Sequence, residues 1–173
     1  MLYDDIIMVM DNNGPKQVFA RDIMTKKFIS AYPETRLLDA AKIISEHNFD
    51  GLPVIDQNGL LVGILTEYDL MTITSGVNSS FLEKILSDIH GKNSSGPESK
   101  NITEMRVSDI MNTEPLALQE NTTFEKLIQA FIAHHRVNPI PIIDTKNKVV
   151  GIISRADVLR PLNLLGYGVS NKK

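Results

Sequence analysis

One set of motifs occurs twice in this chain, and that repetition limits the possible folds more than any other feature. Leu52-Pro53-Val54-Ile55-Asp56, then Gly63-Ile64-Leu65-Thr66-Glu67-Tyr68-Asp69, returns as Ile140-Pro141-Ile142-Ile143-Asp144, then Gly151-Ile152-Ile153-Ser154-Arg155-Ala156-Asp157. The step is constant, 141 − 53 = 88 and 157 − 69 = 88. Asp22-Ile23-Met24 returns as Asp109-Ile110-Met111 with a step of 111 − 24 = 87, so one residue has been added between Met111 and Pro141. Two copies of one unit imply a pseudo-symmetric body with two similar clefts. A duplicated cleft suits binding better than a single active centre.

Each copy reads as strand, helix, strand, strand, helix, which is an α/β (α+β) arrangement. In the first copy Phe28 to Tyr32 is a short extended run, and Thr35 is the expected N-cap of the helix that follows. Leu37, Ala40, Ala41, Ile44 and Asn48 fall at helical spacing. Leu52 to Ile55 and Leu60 to Leu65 are strands joined by Asp56-Gln57-Asn58-Gly59, a turn in which glycine supplies positive φ. A helix restarts over Thr66 to Ile73. In the second copy Leu116 to Leu118 is extended, and Thr122 or Thr123 caps a helix whose stripe is Phe124, Leu127, Ile128 and Phe131. Ile140 to Ile143 pairs with Val149 to Ile153. The last helix is expected to stop before Pro161, because proline disfavours a helical residue ahead of it.

The expected organisation is an N-terminal extension (1–17), a first repeat (18–76), a helix and loop insertion (77–103), a second repeat (104–161) and a tail (162–173). Phe81, Leu82, Ile85, Leu86 and Ile89 suggest an amphipathic helix in the insertion, and 91–101 a loop. Each repeat is small enough for its core to be marginal alone, so the two apolar faces are expected to pair.

Composition excludes some classes of function. A net charge of −3 argues against a general nucleic-acid binder. With no cysteine there is no disulfide, thiolate chemistry or cysteine zinc site. The N-terminus lacks a signal peptide's basic flank and apolar core, and no run approaches the roughly 20 apolar residues of a membrane span. A soluble, cytoplasmic protein is expected. His47, His90, His134 and His135 form no metal-ligand pattern. Neither a phosphate-loop motif nor a nucleophile elbow occurs, so an enzyme such as a nucleotide hydrolase is disfavoured.

The recurring string Gly-aliphatic-aliphatic-Thr/Ser-x-x-Asp lies where a strand hands over to a helix, and two readings of it stand side by side. Thr66 and Ser154 can be N-caps, with Asp69 and Asp157 bonding back to them as in a capping box. Alternatively, the helix N-terminus offers N–H groups to an anion while the aspartate accepts hydrogen bonds from a vicinal diol such as a ribose.

Asp-Ile-Met, the aliphatic-Pro-Val/Ile-Ile-Asp strand and the Gly-x-x-Thr/Ser-x-x-Asp turn, in that order and duplicated, resemble a tandem pair of CBS (cystathionine-β-synthase-type) domains, a Bateman module. The resemblance covers about 18–74 and 104–161. It implies two β-α-β-β-α units packed sheet to sheet with pseudo-twofold symmetry, homodimerisation, and non-catalytic sensing of an adenosine-containing ligand. Candidate ligands are AMP, ADP, ATP, S-adenosylmethionine or a cyclic dinucleotide, and the signal passes to a separate effector protein. By position, Asp69 and Asp157 resemble ribose-holding aspartates. Thr66 and Ser154 resemble hydroxyls near the ribose or phosphate, and Ile64 and Ile152 resemble walls against the adenine. Phe49-Asp50 and Val137-Asn138 resemble residues flanking the base. The resemblance implies that one cleft joins Phe49 and Asp50 to Ser154, Arg155 and Asp157, with Lys27 nearby. The other joins Val137 and Asn138 to Thr66, Glu67 and Asp69. The chain departs from several nucleotide-sensing members in having Asp50-Gly51 and Asn138-Pro139, where those carry a phosphate-binding His or Arg. Arg155 in one cleft and Glu67 in the other make the Ser154/Asp157 cleft the expected nucleotide site. A ligand-free dimerisation scaffold is the alternative.

Overall fold

The structure, a computed structural model, describes residues 10–11, 14–15, 17–76 and 102–164. In chain order the elements are the paired antiparallel strands β1 (Met10–Asp11) and β2 (Gly14–Pro15), then α1 (Ala20–Ile23), α2 (Leu37–His47), β3 (Gly51–Ile55), β4 (Leu61–Thr66) and α3 (Glu67–Gly76). Two 3-10 turns follow, Ile102–Glu104 and Val107–Asp109, then β5 (Leu118–Gln119), α4 (Phe124–Ala133), β6 (Ile140–Ile143), β7 (Val149–Ile153) and α5 (Arg155–Leu164). The helix and loop expected within 81–101 lie outside the described residues.

The described residues fall into two compact units. The first-repeat unit draws on 30–57 and 62–114, and the second-repeat unit on residues up to 29, 58–61 and from 115 onward. In the first, α2 buries Leu37, Ala40 and Ile44 against Leu52 and Val54 of β3 and Leu65 of β4. In the second, α4 buries Phe124, Leu127 and Phe131 against Ile140, Ile142 and Ile153. The helical stripes expected from periodicity are the faces that meet the sheets, except that Asn48 is exposed and caps the end of α2 in the left-handed conformation (φ 52°) instead of extending the stripe. Strand β5 pairs parallel with β6, and β6 antiparallel with β7. The tight turn before β4 places Gly59 at φ +81°. In the matching turn, Asp144 Oδ1 accepts from the N–H of Lys148 and Lys146, and these bonds, the one to Lys148 first, hold its carboxyl below the usual range.

Each unit takes its leading segment from elsewhere in the chain. In the second-repeat unit, Thr25 exchanges backbone hydrogen bonds with Ile152 (2.9 and 3.1 Å). In the first-repeat unit, Asn112 does the same with Ile64 (3.0 and 2.9 Å). The two Asp-Ile-Met strings supply these segments, and their aspartates close the turns that start them. Asp22 Oδ2 accepts from Phe19 N–H (2.9 Å), and Asp109 Oδ2 from Arg106 N–H (2.8 Å). The methionines then lie on the motif glycines: a Cβ added at Gly151 would stand 2.6 Å from Met24 Sδ, and one at Gly63 2.8 Å from Met111 Sδ. The Asp-Ile-Met string and the glycine of the turn motif are therefore two halves of one contact.

That contact predicts a measurable coupling. Gly151→Ala should destabilise the protein by about 1–2 kcal/mol through overpacking. Met24→Ala should cost about 2 kcal/mol through the gap it leaves. The double variant should cost at least 0.5 kcal/mol less than the two single costs combined, by about the usual coupling of touching residues. Additive urea-denaturation energies would show that Met24 does not rest on Gly151.

Three further sequence expectations change. Helix α2 begins after Arg36, and Thr35 instead accepts the Tyr32 N–H through Oγ1 (2.9 Å), so its hydroxyl closes the preceding turn. Helix α5 does not stop before Pro161 but continues to Leu164. A helical proline removes one N–H donor, and the remaining backbone bonds carry the helix past it. The added residue of the second repeat is located by the elements. The helices start 124 − 37 = 87 apart, while the strand prolines remain 88 apart, so the insertion lies between the start of α4 and β6. The α4–β6 connection, 134–139, is longer than its 48–50 counterpart.

Candidate functional site

The two strand-to-helix junctions have nearly the same geometry. At the first, Asp69 Oδ2 accepts from Thr66 N–H (2.8 Å) and from the Thr66 hydroxyl (2.7 Å), and Thr66 Oγ1 accepts from Asp69 N–H (3.3 Å). At the second, Asp157 Oδ2 accepts from Ser154 N–H (2.8 Å) and from the Ser154 hydroxyl (2.8 Å), and Ser154 Oγ accepts from Asp157 N–H (3.3 Å). The capping box is therefore formed at both places. It arises because Thr/Ser and Asp three residues apart face each other across the first turn.

The junctions differ in how deep the carboxylate lies and in what surrounds it. Asp157 is 5% exposed, the buried charged residue among those described. Its second oxygen, Oδ1, takes the guanidinium of Arg160 one turn along the helix. Sequence reasoning passed over Arg160, although an Arg three residues after an Asp on a helix is a recognisable pairing signal. Asp69 is half-buried.

In the first-repeat unit the base-flanking candidates lie beside the junction. Glu67 N–H donates to the Asp50 carbonyl (3.1 Å). Phe49 stacks on His47, with ring centroids 5.1 Å apart and planes 17° apart. An open cavity of about 390 Å³ lies here, lined by Ala41, Ile44, Phe49, Asp50, Glu67 and Met71 among others. That volume is within the range that holds small organic ligands. Its acidic groups are two carboxylates and its lining includes no Lys, Arg or His. Ile64 is buried, pairs with Asn112 and is not part of the cavity wall.

In the second-repeat unit Asn138 is beside the junction, its Oδ1 accepting from Arg155 N–H (3.1 Å). The Arg155 guanidinium is turned onto the carbonyl oxygens of His135 and Val137 (3.3 Å for the latter) and lies over the Phe131 ring at 5.8 Å. Arg155 thus braces the lengthened 134–139 connection instead of pointing its charge at the helix N-terminus. Ile152 is half-buried and pairs with Thr25, and Lys27 is exposed two residues beyond that pair. Within each unit, then, the flanking loop is joined to the junction of its own repeat, Asp50 to Glu67 and Asn138 to Arg155.

These bonds define what the junctions can do. At each, three N-terminal amides already have acceptors: Thr66, Glu67 and Asp69 at one, Ser154, Arg155 and Asp157 at the other. Few donors remain for a phosphate. An ionised carboxylate has about four acceptor sites, and a hydroxyl that now donates to it can rotate away. The carboxylates are therefore better placed to take a diol than the helix ends are to take an anion. Among the described residues no group of three or more His, Asp or Glu could hold a metal, and no helix is long and apolar enough to cross a membrane.

Comparison with known proteins identifies the family of both repeats. The CBS domain family model matches residues 20–76 and 107–163. Among curated relatives, the chloroplastic CBS domain-containing proteins CBSX2 and CBSX1 of Arabidopsis thaliana are 28% and 29% identical over 74% and 80% of this chain. The chain spans 56% and 61% of their lengths. A crystal structure of CBSX2 in complex with AMP superposes with a TM-score of 0.65 at 26% identity, covering 86% of this chain and 98% of that one.

Proposed function

The chain belongs to the CBS domain family as a tandem pair, and we propose that it is a non-catalytic regulatory module that binds an adenosine-containing ligand at its strand-to-helix junctions. AMP, ADP, ATP and S-adenosylmethionine are the candidate ligands. In this reading the ligand favours one of two conformations of the module, and that preference alone moves a separate effector protein. Homodimerisation belongs to the same proposal.

The observation that carries the reading is the duplicated Thr66/Asp69 and Ser154/Asp157 junction. Each sets a carboxylate close to the connection that this reading takes to flank the base, and the first also adjoins a cavity of nucleoside size. The AMP complex of CBSX2, at similar fold and 26% identity, supports the choice of ligand class. The second reading, a scaffold that binds no ligand, is favoured by one specific observation: both capping boxes are complete within the chain itself.

A thermal-shift panel of AMP, ADP, ATP, S-adenosylmethionine and cyclic di-AMP separates the two. A ligand that binds only the folded state at about 100 times its Kd adds about 2.7 kcal/mol, which raises Tm by several degrees. At least one panel member should do so. Asp157→Ala should diminish the shift with AMP more than Asp69→Ala does, since carboxylates line the cavity beside Asp69. Equal losses would refute that asymmetry. No shift with any member would favour the scaffold.

A further inference from the structure

Asp157 uses both carboxylate oxygens, and the occupant of the second is a cation. Ser154 fills Oδ2 with two donors, and the Arg160 guanidinium fills Oδ1. The carboxylate is buried, whereas the Arg160 side chain is 62% exposed. The guanidinium can thus leave for solvent while the aspartate cannot. From this we infer that Arg160 makes the second junction select phosphorylated nucleosides over unphosphorylated ones. The inference rests on the reading that Asp157 holds the ribose.

A ribose diol that donates to Oδ1 competes there with the guanidinium, which lies over that oxygen and takes one of its two acceptor sites. An unphosphorylated nucleoside offers only neutral donors in exchange for a charge-assisted bond, and it gives the released arginine no new acceptor. A 5′-phosphorylated nucleoside brings a phosphate one sugar away from the diol. Guanidinium and phosphate match as a bidentate pair, so the cation changes partner without losing one. Arg155 is unsuited to this role, because its guanidinium is already on the carbonyls of His135 and Val137. At the registers of Arg155 and Arg160 the first repeat has Glu67 (155 − 88 = 67) and Thr72 (160 − 88 = 72), neither of them a cation.

The test is calorimetric titration of adenosine and AMP into the full chain carrying Asp69→Ala, so that the second junction alone reports. Without further change, AMP should bind more tightly than adenosine. Adding Arg160→Ala should tighten adenosine and weaken AMP, lowering the preference for AMP by about tenfold, as expected for one charge-assisted bond. Arg160→Lys should retain most of the preference. A purely structural Arg160 would shift both affinities together and leave their ratio unchanged. Asp157→Asn, which keeps the shape of the side chain, should weaken both ligands. An unchanged ratio in Arg160→Ala, with both ligands weakened by Asp157→Asn, overturns the role of Arg160 and leaves the ribose reading standing. Binding untouched by Asp157→Asn, or absent altogether, overturns the ribose reading and this inference with it.

Discussion

Asp157→Ala is expected to lower folding stability by about 3 kcal/mol, and Asp69→Ala by about 1 kcal/mol. Both substitutions remove the same two bonds, to the backbone N–H and to the hydroxyl of the preceding Thr or Ser. The costs differ because of what replaces those bonds. Around half-buried Asp69, water can reach the freed donors. Asp157 is only 5% exposed, so the Ser154 N–H and hydroxyl lose their acceptor where water has little access. Arg160 also loses its partner, although its own exposure limits that part of the cost. Urea denaturation with an unchanged m-value would give both numbers. Equal midpoints for the two variants would mean that the burial of Asp157 has no energetic consequence.

Gly51→Ala should cost about 3 kcal/mol, at the upper end of overpacking effects. A Cβ there would stand 2.7 Å from the Leu65 carbonyl oxygen and 3.1 Å from Thr66 Cα. Both are backbone atoms of the neighbouring strand, so no rotamer change relieves the clash and β3 must move away from β4. The displacement falls next to the Asp50–Glu67 backbone bond, which joins the 48–50 connection to the first junction. The contrast with Gly151 is instructive, since there the nearest atoms belong to the flexible Met24 side chain and the cost should be smaller. A Gly51→Ala protein as stable as the parent within about 0.5 kcal/mol, which is the scale of ordinary surface changes, would contradict the close strand approach.

Much of the fold could be read because its determinants are local. Leu37, Ala40 and Ile44 lie within one helix, and their spacing alone selects the buried face. The Thr66/Asp69 and Ser154/Asp157 boxes join residues three positions apart, so the string that encodes them also positions them. The strand pair on either side of Asp144 follows from short apolar runs and turn chemistry. The added residue in the second copy became locatable only once the helix starts and strand prolines were compared in space.

What escaped the sequence is long-range or depends on competition between partners. Met24 and Gly151 are far apart along the chain, and nothing in either residue type announces the contact. Thr35 has a good N-cap side chain, but its hydroxyl is taken by Tyr32 N–H, a choice that periodicity cannot report. Pro161 is a helix breaker by propensity, overridden by a helix that continues through it. The sequence places Arg155 in the expected nucleotide cleft, at the helix N-terminus. Its guanidinium instead meets carbonyls of a connection whose length only the structure reveals. Arg160, whose guanidinium touches the Asp157 carboxylate, stands three residues after it, a helical pairing legible in the sequence.

The central claim is that the junction carboxylates hold a nucleoside sugar by its diol. Titrating the chain with AMP and with 2′,3′-dideoxy-AMP isolates that contact, because the two ligands share base and phosphate and differ only in the hydroxyls. The account predicts saturable AMP binding and at least a tenfold weaker dideoxy ligand, roughly the worth of a hydrogen bond to a charged acceptor. Equal affinities for the two, or no binding of AMP, would contradict it.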